Sequence, residues 1–158
     1  MPAYVEGPDP TPAKPRELRR LRDQLADNSH CANCLDARPD YICLDLNTWV
    51  CRLCSEIHGE YGHRILSVAS ATEDSISEEE MFALSKGGNR RAAKEFLAFW
   101  KDAEFRRPGK GEADNLRAFI RKAYVIKCWQ RQPRRTARPA AAACSAPPPA
   151  AAAAATAA

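Results

Sequence analysis

Cys31-Ala32-Asn33-Cys34 and Cys51-Arg52-Leu53-Cys54 are two C-x-x-C pairs with sixteen residues between them. No other feature of the chain constrains its fold so tightly. A C-x-x-C turn lets two thiolates converge on one ion, and a spacer of about 15–20 residues returns the chain with a second pair. Four soft ligands in that arrangement suit tetrahedral Zn²⁺, and four protein ligands leave no open coordination position. The spacing therefore predicts one structural zinc on Cys31, Cys34, Cys51 and Cys54, and no metal-borne catalysis. A redox C-x-x-C would be single and would open a helix after a strand. Cys43, Cys128 and Cys144 are surplus to the set; Cys43 falls in an expected strand and Cys128 near a helix end, where packing is the expected role. His30 and His58 adjoin the knuckles, but four thiolates leave them no vacancy, and His63 has no evident partner.

Reading cysteines as ligands presupposes a reducing compartment. Residues 1–15 hold five prolines and no apolar run of the kind a secretory leader needs. No stretch approaches the roughly 18 apolar residues of a membrane span. The expected setting is cytoplasmic. Lys and Arg number 24 against 20 Asp and Glu, a net charge of +4 that permits an acidic partner or an anionic membrane surface without demanding one.

The chain divides into a disordered Pro-rich N-terminus (1–15), a folded domain (16–130) and an Arg/Pro/Ala-rich tail (131–158) too poor in apolar residues to build a core. Within the domain, Pro15 can occupy the first turn of a helix whose apolar stripe is Leu18, Leu21 and Leu25, with Arg16, Arg19, Arg20 and Arg22 on a solvated face. Residues 41–50 read as two short strands about a turn, followed by a helix from near Arg52 to Tyr61 and a strand at Ile65 to Val68. Ser77 and Glu80 fit a capping box, Gly87-Gly88 stops that helix, and Asn89 can cap the next, with Phe96, Phe99, Trp100 and Ala103 as its stripe. A last helix carries Leu116, Phe119, Ile120 and Ala123 and is ended by Pro133.

The two knuckles followed by Ser55, Ile57 and His58 resemble the Arf GTPase-activating (ArfGAP) domain, whose zinc region usually reads C-x-x-C-S-G-I-H-R. Pro39 and Tyr41 stand where that family has a proline and a tryptophan, and Leu46 matches a leucine before the second knuckle. Gly62, Val68 and Ser70 follow its pattern after the knuckle, Thr72 and Asp74 fit its L-T-L-D segment, and Gly88-Asn89 fits its Gly-Asn pair. Phe119-Ile120-Arg121 with Tyr124 resembles its F-I-R-x-K-Y stretch, so the similarity covers about residues 20–130.

The resemblance implies a small α/β fold: a C4 zinc finger and a short three-stranded sheet packed against several helices. It implies an Arf-type small GTPase as partner, peripheral placement at Golgi or endosomal membranes, and a part in vesicle trafficking. The GTPase carries out the hydrolysis, and no catalysis by this chain alone is expected. Family members assist with the arginine of the H-R pair; a guanidinium that neutralises charge developing on the phosphates is worth roughly 10³–10⁵ in rate. The expected partner-contact residues are Ile57, His58, Arg64 and Arg121.

At the decisive position the chain departs from the pattern. Gly59 replaces the arginine, Glu56 replaces the family's glycine, and Ala93 stands where many members have asparagine. Arg52 and Arg64 are the nearest candidates for a substitute finger. The expectation is a GTPase regulator with impaired stimulation, the alternative being an inactive interaction module. GATA-type nucleic-acid fingers share the two-knuckle spacing, but the residues after Cys54 (Ser-Glu-Ile-His-Gly-Glu-Tyr-Gly) bring two glutamates and no lysine or arginine, which argues against phosphate contact. On the last helix, Arg117, Arg121, Lys122 and Lys127 form an expected basic face for acidic lipid or a GTPase.

Overall fold

The computed structural model describes residues 11–131. Its centre is a three-stranded antiparallel sheet in the order β2-β1-β3, with β1 at Tyr41–Cys43, β2 at Thr48–Val50 and β3 at Ile65–Ser67. Asn47, at φ 52°, closes the turn between β1 and β2, a left-handed conformation that asparagine tolerates better than most residues. Side chains alternate across the sheet and so divide the interior in two. Ile42 pairs with Trp49 across β1 and β2, and both pack with Leu18, Val68, Ala71, Ile76 and Leu84 on one side. Val50 and Tyr41 join the other side, where the cysteine knuckles meet the helices of the C-terminal half. Both short strands expected within 41–50 and the strand at Ile65 are present.

Helix α1, Ala13–Asp23, starts just before Pro15 and covers the first core with Leu18. Leu25 falls beyond the helix and is exposed, so the expected stripe is shorter than its spacing suggested. The arginine face is not simply solvated either. Arg22 is buried and donates to the Pro39 carbonyl at 3.2 Å, and Arg19 grips Asp40 with two bonds of 3.2 and 2.9 Å. These contacts fasten α1 to the segment entering β1, a long-range pairing that local periodicity does not register.

Helix α2, Arg52–Glu60, lies between the sheet and the C-terminal helices. Helix α3, Glu78–Lys86, opens on the expected reciprocal capping box of Ser77 and Glu80. Helix α4, Asn89–Phe96, follows after Gly87-Gly88. Asn89 does not cap it: the cap position is Gly88, and the Asn89 side chain turns inward. Its Oδ1 accepts from the Trp49 amide at 2.7 Å, and its Nδ2 donates to the carbonyls of His30 at 2.7 Å and Trp49 at 3.1 Å. The Asn89 amide in turn donates to the buried Asn28 side chain at 2.9 Å. Gly88 makes this approach feasible, since its φ is +96° and a Cβ there would stand 3.0 Å from Asn28 Oδ1. One amide side chain thus ties α4, β2 and the 3₁₀ turn Ala26–Ser29 together. Asn89→Ala would strand the Trp49 amide and the His30 carbonyl. At about 1–3 kcal/mol per orphaned buried group, the expected loss in urea unfolding is about 2–4 kcal/mol. A loss under about 0.5 kcal/mol would show that the clasp is dispensable.

Helix α4 stops at Phe96, so Phe99 does not continue its buried stripe and is exposed. Trp100 is held instead by its indole N–H, which donates to the Phe105 carbonyl at 2.9 Å. Helix α5, Ala113–Ile120, runs into a wide π-type turn at Arg121–Val125. Leu116, Phe119, Ile120 and Ala123 are all fully buried, as their spacing predicts. Phe119 meets Trp100, Phe105 and Trp129 with ring centroids 5.6–6.2 Å apart, forming the aromatic centre of the second core. Helical structure has ended before Pro133, which lies outside the described residues, as do residues 1–10 and 132–158 of the expected tails.

Candidate metal centre and partner face

Each knuckle is shaped by its backbone. In the first, Leu35 takes φ 61° and the Asn33 amide donates to Cys31 Sγ at 3.5 Å. In the second, Cys51 is the N-cap of α2 and its Sγ accepts from the Cys54 amide, also at 3.5 Å. The positive end of the helix therefore faces a sulfur that carries charge when it binds metal. Hydrogen bonding from Cys31, then from Cys34 and Cys54, holds the Cys51 thiol well below its ordinary pKa. The four sulfurs lie within 4.8 Å of one another, and Cys34 Sγ stands 3.6 Å from Cys51 Sγ. Tetrahedral coordination with metal–sulfur bonds of about 2.3 Å implies sulfurs about 3.8 Å apart. The donor set and its spacing fit a zinc finger.

Arg107 braces this centre from the helical half, a role with no signature in the sequence. Its guanidinium donates to the carbonyls of Ala32 and Asn33 at 3.1 and 3.0 Å, and it stacks 4.8 Å from the Trp100 ring centre. The cation satisfies two knuckle carbonyls while resting on aromatic faces.

Helix α2 ends in a Schellman turn. The His63 amide donates to the His58 carbonyl at 3.1 Å and the Gly62 amide to the Gly59 carbonyl at 3.0 Å, with Gly62 at φ +83°. The turn folds His63 back over His58, so His63 does have a partner: the two Nδ1 atoms are 2.9 Å apart. His58 is fully buried, and burial, reinforced by His63, pushes its pKa down to about 3. Gly59 and Gly62 make opposite demands. Gly62→Ala should cost about 1–2 kcal/mol, because an L-residue resists the left-handed region. Gly59→Ala should instead stabilise by about 0.5–1 kcal/mol, since Gly59 is helical and its Cβ would meet open space. Thermal unfolding of the two variants checks the pair; equal signs would contradict this account of the helix end.

The outer face of α2 presents Arg52, Glu56 and Gly59, at i, i+4 and i+7. Arg52 Nε pairs with Glu56 at 3.3 Å. Arg52, Leu53 and Glu56 also line a groove of about 480 Å³ with Cys34, Asp36, Cys51, Lys110 and Gly111. Arg64 is exposed immediately before β3, and its guanidinium is engaged by Glu80 at 2.7 Å. Ile57 and His58, expected at the partner surface, are fully buried and support α2 from beneath. Arg121 is exposed. The wider basic face is thinner than its sequence suggested. Arg117 pairs with Glu60 at 2.9 Å, and Lys122 is buried over the Phe105 ring, leaving Arg121 and Lys127 exposed.

A fold of this plan around a four-cysteine finger defines a class, and comparison with known proteins agrees. A family model described as "Putative GTPase activating protein for Arf" matches residues 15–133. The probable ADP-ribosylation factor GTPase-activating protein AGD14 of Arabidopsis thaliana is 36% identical over 104 residues, covering 66% of this chain and 16% of the relative. A second Arabidopsis thaliana protein of the same description, AGD15, is 29% identical over 103 residues, covering 65% of this chain and 41% of the relative. Among solved structures, the ArfGap domain of human RIP superposes with a TM-score of 0.66 at 23% identity, covering 82% of this chain and 96% of that one, a likeness of fold. The chain belongs to the ArfGAP family. It spans less than half the length of these curated relatives, 16% of one and 41% of the other.

Proposed function

We propose that the chain docks an Arf-type small GTPase through the outer face of α2 and the adjoining groove, and that it accelerates GTP hydrolysis only weakly. The observation that carries this reading is Gly59. It sits at the exposed end of α2, at the position where the resemblance puts an arginine, and its Cβ direction is open. A glycine offers no guanidinium to a transition state whose charge sits on phosphoryl oxygens. One zinc held by Cys31, Cys34, Cys51 and Cys54 would cross-link the knuckles and, with its coordination filled by protein, would have no part in hydrolysis.

Neither candidate substitute is well placed. Arg52 lies two helical turns before Gly59, about 10 Å along the axis, and is paired with Glu56. Arg64 is tied to Glu80. Arg52→Ala and Arg64→Ala should therefore leave the residual stimulated rate within about threefold, at saturating concentrations of a GTP-loaded Arf-type GTPase. A drop of about 10³ in either variant would place the finger there and overturn the weak-activator reading.

A further inference from the structure

Behind the Gly59 end of α2, three metal-ligating side chains converge without sharing an atom with the four-cysteine cluster. Cys43, His58 and His63 bring their ligand atoms within 4.8 Å of one another. They come from three separate points of the fold. Cys43 ends β1 on the sheet face turned toward α2, His58 is on α2, and His63 follows the Schellman turn. Cys43 and His58 are fully buried, whereas His63 is half-buried, which gives an ion a way in.

We propose that Cys43 Sγ, His58 Nδ1 and His63 Nδ1 form a second metal site for a divalent ion of borderline softness, such as Zn²⁺ or Co²⁺, with the fourth position open to water.

Binding an ion asks the nitrogen pair to open slightly and the thiol, now within 4.8 Å of both nitrogens, to close on them. Metal–nitrogen bonds of about 2.0–2.1 Å and a metal–sulfur bond of about 2.3 Å imply a nitrogen–nitrogen separation of about 3.3 Å and sulfur–nitrogen separations of about 3.6 Å. The two Nδ1 atoms already face each other at 2.9 Å and would open by a few tenths of an ångström. One thiolate and two imidazoles form a donor set that suits zinc and cobalt and disfavours magnesium or calcium.

The surroundings support the histidine ligands. His58 Nε2 lies 2.9 Å from the side-chain amide of fully buried Asn33. Without metal, the amide N–H donates to Nε2, and the His58 proton sits on Nδ1, directed at His63. With metal on Nδ1 the proton moves to Nε2, and the amide presents its oxygen by rotating. Such outer contacts fix the tautomer and orientation of a ligating histidine. Cys43 gives up its thiol proton to solvent as the sulfur–metal bond forms; the burial that raises its pKa to about 11 keeps it protonated until then. The carboxylate of Asp45 faces His63 from the β1–β2 turn and favours a cation, while the ammonium of Lys127 opposes one.

The test uses the full chain loaded with one equivalent of Zn²⁺ and then titrated with Co²⁺. The expected result is uptake of a second equivalent, with tetrahedral visible absorption and a single-thiolate charge-transfer band, while the zinc content stays at one. His63→Asn and Cys43→Ser should each weaken this uptake by at least about tenfold and leave the first equivalent of zinc bound. His63 is half-exposed, so its variant keeps the question answerable if Cys43→Ser fails to fold. Uptake that stops at one metal per chain, or a second equivalent that both variants bind as tightly as the parent, would overturn the proposal. Neither readout depends on GTP hydrolysis.

Discussion

Gly59→Arg is expected to raise stimulated GTP hydrolysis by about 10³-fold or more, the range that a guanidinium finger supplies to phosphoryl transfer. The structure has room for it. A Cβ at position 59 meets nothing within 4 Å, the residue is helical, and the side chain would leave from an exposed surface. Folding should be unharmed or slightly favoured, because arginine is a better helix former than glycine by up to about 1 kcal/mol. Glu56 is the obstacle. It precedes position 59 by three residues on the same helix face, where opposite charges meet. It already holds Arg52 at 3.3 Å, and a new arginine would compete for it. The double variant Glu56→Gly with Gly59→Arg should therefore stimulate more strongly than Gly59→Arg alone. If both variants bind the GTPase and neither gains more than about threefold in rate, the absent guanidinium is not what limits this chain.

Removing the metal should unfold the domain. Apparent binding free energies of structural zinc are about 10–16 kcal/mol, against a total stability of about 5–15 kcal/mol for a typical domain. Cys31, Cys34 and Cys54 are themselves packed into the second core with Val50, Phe119 and Tyr124, so the ion would hold that core as well as the knuckles. Cys51 has a further role as the N-cap of α2. Chelation, or Cys51→Ser, is expected to abolish the cooperative thermal transition seen by circular dichroism, and returning Zn²⁺ should restore it after chelation only. A chelated chain that keeps its cooperative transition within a few degrees would show that the knuckles fold without an ion.

The sequence discloses much of this architecture because the informative features are local. The Ser77–Glu80 capping box, the strand pair within 41–50 and the apolar period of α5 each depend on residues a few positions apart, and the two knuckles on pairs separated by sixteen residues. What it conceals depends on distant contacts. Arg22 reads as solvent-facing until Pro39 and Asp40 are brought to it, and Asn89 reads as a helix cap until Trp49 and His30 arrive to bond its side chain. Phe99 keeps helical spacing with Phe96, yet the helix ends first, and Trp100 beyond it stacks against Arg107. At the site, the clustering of Cys31, Cys34, Cys51 and Cys54 is legible from their spacing. The Arg107 brace and the His58–His63 contact are not: one joins residues some seventy-five positions apart, and the other depends on a left-handed turn at Gly62.

The proposed function is that the chain holds an Arf-type GTPase while lacking the cation that speeds its reaction. It is tested most directly by measuring binding and single-turnover GTP hydrolysis in the same samples, with the unmodified full chain in excess over a panel of GTP-loaded Arf-type GTPases. The account predicts saturable binding to at least one of them, with hydrolysis accelerated by less than about tenfold at full occupancy. Acceleration of about 10³ or more by the unmodified chain, or no binding to any member of the panel, would contradict it.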